Sequence, residues 1–190
     1  KIMRLMKDML HSLVHALRIK KSILPESREE QWKRRGVKFG KNFDGPDSII
    51  DYCYGHLVTI GDNVTISGTT ILAHDGSTKK ALGYVKVAPV KIGNDVFIGY
   101  GSIVLPGVTI GSKVIVGAGT ICSKNIPDNV VVVGQNSGYH ILCSYDEYIK
   151  RQKERMEKLP ISMIQCTNRS EESWKKWKEC LQKYGSGFDL

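Results

Sequence analysis

Histidine is the side chain in this sequence best suited to moving protons, because its ordinary pKa of about 6.5 lies near neutral pH. The chain carries five histidines: His11, His15, His56, His74 and His140. His74 lies in the stretch TTILAHDGST, just before a long loop, where a loop and a domain body can form a cleft. His74 is therefore the best candidate for a functional histidine, and an imidazole near neutral pH is suited to general acid–base chemistry. On the sequence alone, a histidine that merely occupies a surface loop is an equal alternative.

The other histidines and the cysteines are not expected to hold a metal. His11 and His15 are one helical turn apart, but a zinc site needs further ligands, and none is evident. His140 has no motif around it, and His56 is the second choice for a functional histidine. The five cysteines include no CxxC pair, which favours reduced thiols over a zinc ribbon or a disulfide framework.

A six-residue repeat surrounds His74 and must position it. Apolar residues lead successive hexads, and the residue that follows is small in nearly all of them. The lead residues are Tyr54, Ile60, Ile66 and Leu72, then, after an interruption, Ile92, Ile98, Val104, Ile110, Val116 and Cys122. A period of six fits neither a helix nor a lone strand. It indicates one strand and one turn per hexad, with three strands closing a triangular coil of about eighteen residues.

Within each hexad, the lead residue is expected to point inward. The small residue permits a tight corner, either because a Cβ would crowd the backbone or because φ is positive. A β-sandwich with glycine turns is the alternative, but the strict phase of residues 92–121 argues against it. The interruption at residues 78–91 keeps the phase of both flanks, so it predicts a loop thrown out of one coil.

Helices are expected on both sides of the repeat. Residues 1–20 place apolar side chains at helical spacing, and residues 145–159 and 171–183 are also predicted to be helical. The predicted division is an N-terminal helical and basic arm at 1–40, the repeat at 41–140 and a C-terminal helical segment at 141–190.

The net charge of +9 lies mainly in the N-terminal arm, where residues 1–40 carry 11 basic and 4 acidic side chains. A nucleic-acid partner is not expected, because neither an aromatic-interleaved basic face nor a known motif is present. The run of Lys33, Arg34 and Arg35 is expected to be a solvated surface. No stretch is apolar enough for a transmembrane helix. We expect a cytoplasmic protein, with the basic amphipathic N-terminal helix allowing a peripheral position at the inner membrane face.

The signature [LIV]-G-x-x-[VST]-x recurs in succession, and over roughly residues 48–135 the chain resembles the bacterial hexapeptide-repeat transferases. The resemblance implies a mainly β fold, a left-handed parallel β-helix with N- and C-terminal helical appendages. It also implies an acetyl-CoA-dependent O-acetyltransferase of the galactoside and maltose type, acting on a sugar hydroxyl in capsule, exopolysaccharide or lipopolysaccharide synthesis. The family forms homotrimers with the acetyl-CoA groove between two subunits, and the acceptor would be a small-molecule or lipid-linked sugar.

The same resemblance assigns roles to individual residues. The catalytic base matches His74, upstream of the hexads that begin IGNDVFIG. The implied acetyl-CoA contacts are Gly99, Tyr100, Gly117 and Ala118, with Ser123 and Lys124 near the adenine and phosphate end. The candidates for substrate contact are Asp75, Phe97 and His56. Asp75 orients His74, holds a sugar hydroxyl or stabilises its own loop.

The chain also departs from the family pattern. The closing motif G-N-P-A-[KR] is replaced by GQNSGYH at residues 134–140, so a phosphate contact must come from Lys124 or a partner subunit. Serine, amino-sugar or antibiotic acetylation on the same fold is an alternative. A zinc-dependent carbonic anhydrase of this fold is the second possibility, but the chain lacks the full set of histidines that such an enzyme needs. A non-catalytic scaffold is the third possibility.

Overall fold

The computed structural model describes residues 26–45, 47–134 and 138–189, and the predicted helix at residues 1–20 lies outside them. The helices are α1 Arg28–Arg34, α2 Lys79–Leu82, α3 Tyr145–Met156 and α4 Glu171–Tyr184. The strands are β1 Lys38–Phe39, β2 Ile49–Ile50, β3 Val58–Ile60, β4 Val64–Ile66, β5 Thr70–Ile71, β6 His74–Asp75, β7 Lys86–Val87, β8 Val90–Ile92, β9 Val96–Ile98, β10 Ile103–Val104, β11 Thr109–Ile110, β12 Val114–Val116, β13 Ile121–Cys122, β14 Val130–Val133, β15 His140–Ser144, β16 Ile161–Ser162 and β17 Phe188–Asp189.

Most strands belong to three sheets, which the chain visits in rotation. Sheet I contains β1, β3, β8 and β11, sheet II contains β4, β9, β12, β14 and β15, and sheet III contains β2, β5, β10 and β13. Strands β8, β9 and β10 enter sheets I, II and III in turn, and β11, β12 and β13 repeat that order beside them. Neighbouring strands in these sheets are parallel, except that β15 runs antiparallel to β14. One such set of three strands is called a coil below.

The residues that lead the hexads stack in register inside these coils, as predicted. The in-register buried pairs are Ile92–Ile110, Ile98–Val116 and Val104–Cys122. Branched side chains fill the narrow interior, and removing their apolar surface from water stabilises the stack. Burial raises the pKa of the Cys122 thiol to about 12, so this cysteine stays neutral in the apolar column.

Two of the predicted lead residues are wrong. Leu72 is only half-buried, and its neighbour Ile71 is the fully buried residue in register with Val104. Tyr54 lies outside the strands, and Ile50 takes the inward position in register with Ile71. Because Ile71 and Leu72 are both apolar, the spacing alone leaves their order open, and pairing with β10 decides it.

The glycine after a lead residue is required by the close approach of the next coil. A Cβ on Gly93 would lie 2.7 Å from the carbonyl carbon of Gly111, closer than such atoms can come. Positive φ angles occur instead two residues later, at Asn63, Asp95 and Lys113. Asn and Asp tolerate this left-handed backbone because their side chains are short and polar, and Asn63 Nδ2 donates to Asp95 Oδ1 across 2.8 Å.

The interruption at residues 78–91 forms, together with the residues just before it, a small substructure at the edge between sheets III and I. Its base is an antiparallel ladder of β6 and β7, in which His74 lies opposite Val87, and α2 lies between these strands. The chain rejoins sheet I at Val90, so the last two residues of the predicted loop belong to β8. The ladder holds the backbone of His74 against the body of the repeat.

Helix α1 covers the first coil. Ser27 and Glu30 form a reciprocal capping box at its start. Trp32 is buried, and its ring centroid lies 5.8 Å from that of Phe43. Sheet I begins at Lys38, inside the segment predicted as the N-terminal arm.

The C-terminal segment contains both predicted helices, α3 and α4, which begin after the capping residues Ser144 and Ser170. Strand β15 adds an antiparallel edge to sheet II. Among the described residues, none after Val132 is buried, so this segment lies outside the core. The described part of the chain holds no helix with the length and apolarity needed to span a bilayer.

Candidate active site

His74 is held by a carboxylate that lies 23 positions earlier in the chain. Its Nδ1 atom is 2.6 Å from Oδ2 of Asp51. Asp51 directly follows β2, and β2 pairs in parallel with β5, the strand that leads to His74. Pairing of these strands therefore brings a carboxylate and an imidazole from two coils to the same edge. The side chain of His74 is 33% exposed, whereas that of Asp51 is 0% exposed.

The Asp51 carboxylate also accepts three backbone hydrogen bonds. Oδ1 accepts from Cys53 N and Tyr54 N, each at 3.0 Å, and Oδ2 accepts from Ala73 N at 2.8 Å. Burial raises the pKa of this carboxyl, but the hydrogen bonds from His74 and from the three amides together lower the pKa by more than burial raises it. The pKa of Asp51 therefore lies below the ordinary aspartate value, and the group is ionised at neutral pH.

An ionised Asp51 selects the neutral tautomer of His74 that carries its hydrogen on Nδ1. The other ring nitrogen, Nε2, then presents a lone pair, which is the state that a general base needs. Once Nε2 has taken a proton, the positive imidazolium lies 2.6 Å from a buried negative charge that stabilises it. The pair is therefore built to accept a proton from a neighbouring group and to release it again.

Two aromatic rings share this edge with His74. The ring centroid of Tyr54 is 5.1 Å from that of His74, with an angle of 44° between the planes. The ring of His56 lies 6.2 Å from that of Tyr54. His56 is exposed in a 3-10 turn at Gly55–Leu57. The second-choice histidine therefore lies at the same edge as the first.

Asp75 stabilises its own turn, and Asp51 rather than Asp75 holds the His74 ring. Oδ1 of Asp75 accepts from Ser77 N at 2.9 Å, and the bonds from Ser77 lower the pKa of this exposed carboxyl. Sequence reasoning missed Asp51. The available signal was an acidic residue directly after the apolar pair Ile49–Ile50, at the point where a corner begins.

The residues predicted to contact acetyl-CoA fall on two different edges of the coil. The edge between sheets II and III carries Gly99, Tyr100, Gly117 and Ala118, which follow the paired strands β9 and β12. We call this the glycine edge. Ser123 and Lys124 follow β13 and lie at the edge between sheets III and I, where His74 follows β5. Strand β10 lies between β13 and β5, so one coil separates Ser123 from His74 along the stack.

The glycine edge is closely packed. A Cβ on Gly99 would lie 2.5 Å from the amide nitrogen of Ala118. The amides of Gly99 and Gly117 each donate to the next coil at 2.8 Å, so they are not available to a ligand. Tyr100 and Ala118 are exposed, and no described residue accepts the amide hydrogen of Ala118.

Phe97 lies on neither edge. It occupies the outer face of sheet II between Thr65 and Ile115, and its side chain is 43% exposed. Within one chain, the structure therefore does not bring Phe97 or the glycine edge to His74. Among the residues that the structure describes, no group of three or more His, Cys, Asp or Glu side chains is arranged to hold a metal ion.

Residues 89–124 match the family model of the bacterial transferase hexapeptide, described as six repeats. The chain is 38% identical over 104 residues to a galactoside O-acetyltransferase of Escherichia coli K12, covering 52% of this chain and 50% of the relative. It is 41% identical over 113 residues to protein CapG of Staphylococcus aureus, covering 56% of this chain and 66% of the relative. The chain thus spans between one half and two thirds of the length of these relatives.

A solved structure shares the fold. It is a hexapeptide-repeat-containing acetyltransferase of Vibrio cholerae O1 biovar eltor, crystallised with acetyl coenzyme A. The likeness has a TM-score of 0.51 at 23% identity and covers 58% of this chain and 61% of that one. Residues 89–124 therefore carry the repeat of the bacterial hexapeptide transferases, and over about half of its length the chain is similar to proteins of that kind.

Proposed function

We propose that the chain transfers an acetyl group from acetyl-CoA to a sugar hydroxyl, with His74 as the general base. The observation that carries the proposal is the 2.6 Å contact between His74 Nδ1 and the buried, ionised carboxylate of Asp51. Relatives named galactoside O-acetyltransferase, in Escherichia coli and Lactococcus lactis, support both the acetyl group and the sugar acceptor.

The reaction is a direct transfer in a complex that holds both substrates. Nε2 of His74 takes the proton of the acceptor hydroxyl while that oxygen attacks the carbonyl carbon of the thioester. The resulting tetrahedral intermediate collapses, the carbon–sulfur bond breaks, and His74 returns the proton to the departing sulfur. The products are an acetylated sugar and free CoA. Asp51 remains ionised throughout and stabilises the transient imidazolium.

We infer further that the coil is left-handed and that the chain works as a homotrimer. His74 and the glycine edge lie on different edges of one chain, so a single copy does not bring them together. Three copies around a three-fold axis would set the His74 edge of one against the glycine edge of the next. Acetyl-CoA would then lie along Tyr100 and Ala118 of one copy and reach His74 of its neighbour.

Several finer assignments remain predictions. Ser123 and Lys124 would meet the adenine and phosphate end of acetyl-CoA. His56, which lies near Tyr54 at the His74 edge, is the best placed of the three predicted substrate contacts. Phe97 and Asp75 stay predicted substrate contacts. A role in capsule or other polysaccharide synthesis is also a prediction.

The test compares the wild type with the His74→Gln variant. The control variant is His140→Gln, because His140 is an exposed histidine at the start of β15. Release of CoA from acetyl-CoA is followed with a thiol reagent in the presence of galactosides, maltose and other sugars. We expect His74→Gln to lower kcat by about 10²–10⁴-fold, the usual contribution of a general base. Acetyl-CoA binding, measured by calorimetry, should not change, and His140→Gln should keep the wild-type rate. A wild-type rate for His74→Gln would refute the proposal, as would a wild type that neither binds acetyl-CoA nor releases CoA.

A further inference from the structure

The three basic residues at the end of α1, Lys33, Arg34 and Arg35, differ in whether a carboxylate balances their charge. Lys33 and Arg34 each pair with a glutamate, at 2.7 and 2.9 Å. Arg35 makes no ion pair with any residue of the described chain. Its guanidinium carbon lies 4.0 Å from the ring centroid of Tyr52, which is 73% exposed. With respect to the described residues, Arg35 is therefore a half-buried cation without an ion-pair partner, stacked on an exposed aromatic ring.

Arg35 lies at the edge that holds His74. A Cβ on Gly55 would lie 2.9 Å from the carbonyl oxygen of Arg35. Gly36 has a φ of +83°, and a Cβ there would lie 2.9 Å from the Cβ of His56. The end of α1 therefore packs directly on the turn that follows Tyr54, whose ring contacts that of His74. Tyr52, beneath the guanidinium, directly follows Asp51 in the chain.

A guanidinium stacked on a ring is held in place while the N–H groups on its rim stay available. These donors form a planar fork that matches the oxygens of a carboxylate or a phosphate. The nearby carboxylate of Asp51 does not fill this role, because it is fully buried and bonded to His74 and three amides. No described residue accepts a hydrogen bond from the Arg35 guanidinium, so its donors can bind a ligand beside the proposed reaction site.

Resting on the proposed acetyl transfer, we propose that the acceptor sugar carries an anionic group, a carboxylate or a phosphate, which Arg35 binds. Arg35 selects the acceptor by its charge and touches no reacting atom. Tyr52 holds the guanidinium in position. The substrate class is then an acidic sugar or a sugar phosphate, in contrast to a neutral galactoside.

The experiment uses three acceptors: methyl glucuronoside, glucose 1-phosphate and methyl glucoside, which carry a carboxylate, a phosphate and no charge. The variants are Arg35→Gln and Arg34→Gln, the latter removing a neighbouring arginine whose charge already pairs with Glu26. CoA release gives kcat and KM, and calorimetry without acetyl-CoA gives acceptor binding. We expect the wild type to favour an anionic acceptor. In Arg35→Gln, KM and Kd for that acceptor should rise about tenfold, as for a lost charge-assisted hydrogen bond. Kinetics with methyl glucoside should not change, and Arg34→Gln should match the wild type.

The carboxylate and phosphate arms show which anion Arg35 binds, and added salt should reduce the preference in either arm. Equal use of charged and neutral acceptors by the wild type overturns the inference. So does an Arg35→Gln variant that binds every acceptor like the wild type, even while CoA is released. If an anionic acceptor binds in an Arg35-dependent way and no CoA is released from any mixture, the anion site stands and acetyl transfer is refuted.

Discussion

Replacing Asp51 with Asn tests the central pair of the site while changing its shape very little. Through its two oxygens, the carboxylate accepts four hydrogen bonds, one from the His74 ring and three from backbone amides. An amide side chain keeps only one oxygen acceptor and places an NH₂ group where the other oxygen was. In either orientation, that NH₂ group faces N–H donors. If it replaces Oδ2, it faces the amide of Ala73 and the ring of His74.

The magnitude follows from what His74 must do to avoid this conflict. The ring can move its hydrogen to Nε2, so that Nδ1 accepts from the Asn side chain. Nε2 then holds a hydrogen and cannot take one from the acceptor. The variant should lose the general-base contribution, about 10²–10⁴-fold in kcat. At least one buried amide also loses its acceptor, which should cost about 1–3 kcal/mol of unfolding free energy.

The assay is the initial rate of CoA release at saturating acetyl-CoA, with urea unfolding to measure stability. Asp128→Asn is the matched control, because Asp128 also accepts a backbone amide at a coil corner, at 2.7 Å from Ser112 N, but is exposed and has no histidine partner. It should keep the wild-type rate. The double variant Asp51→Asn with His74→Gln should be no slower than the His74→Gln single variant, because both changes remove one function.

Two results would refute this reasoning. A folded Asp51→Asn protein with kcat within threefold of the wild type would mean that the carboxylate does not select the tautomer. A double variant whose rate loss equals the product of the two single losses would mean that Asp51 and His74 act independently.

Two further predictions concern stability. The pKa of Asp51 in the folded protein lies below its unfolded value of about 3.9. Ionisation of Asp51 therefore stabilises the fold above about pH 3.9, and this contribution is lost as pH falls through the lower folded pKa. The unfolding free energies of the wild type and Asp51→Asn, measured with urea, should converge as the pH falls below about 4, and a difference that stays constant down to pH 2 would contradict this prediction. Ile98 is fully buried between in-register neighbours in sheet II, so Ile98→Ala should lower the unfolding free energy by about 2–5 kcal/mol, whereas Phe97→Ala on the exposed face should cost clearly less; equal losses would contradict the assigned inner and outer faces.

The repeat could be predicted because its information is local. A strand alternates its side chains between two faces, so an apolar residue at every sixth position marks the inner face without knowledge of the neighbouring coil. Helices α3 and α4 were likewise visible, since the helical character of each lies within its own segment. His74 stood out because it precedes the only long interruption in the hexads.

The partner of His74 could not be found in this way. Asp51 and His74 are 23 residues apart, which is not a multiple of six. The turn at Gly55–Leu57 and the shortened side at Ile71 change the length of the coil, and Asp51 directly follows β2 whereas His74 lies three residues after Ile71. Each irregularity shifts every later residue relative to the coil before it. Only the summed hydrogen-bond register shows which side chains meet at an edge.

By itself, the sequence determined the repeating strands, the buried column of lead residues and the histidine beside the insertion. The tertiary structure decided which carboxylate holds that histidine, where Arg35 lies, and that the glycine edge is on another side of the coil. The physical reason is that periodic burial is set by neighbours along the chain, whereas contacts across coils depend on the pairing of strands that the sequence separates by irregular lengths.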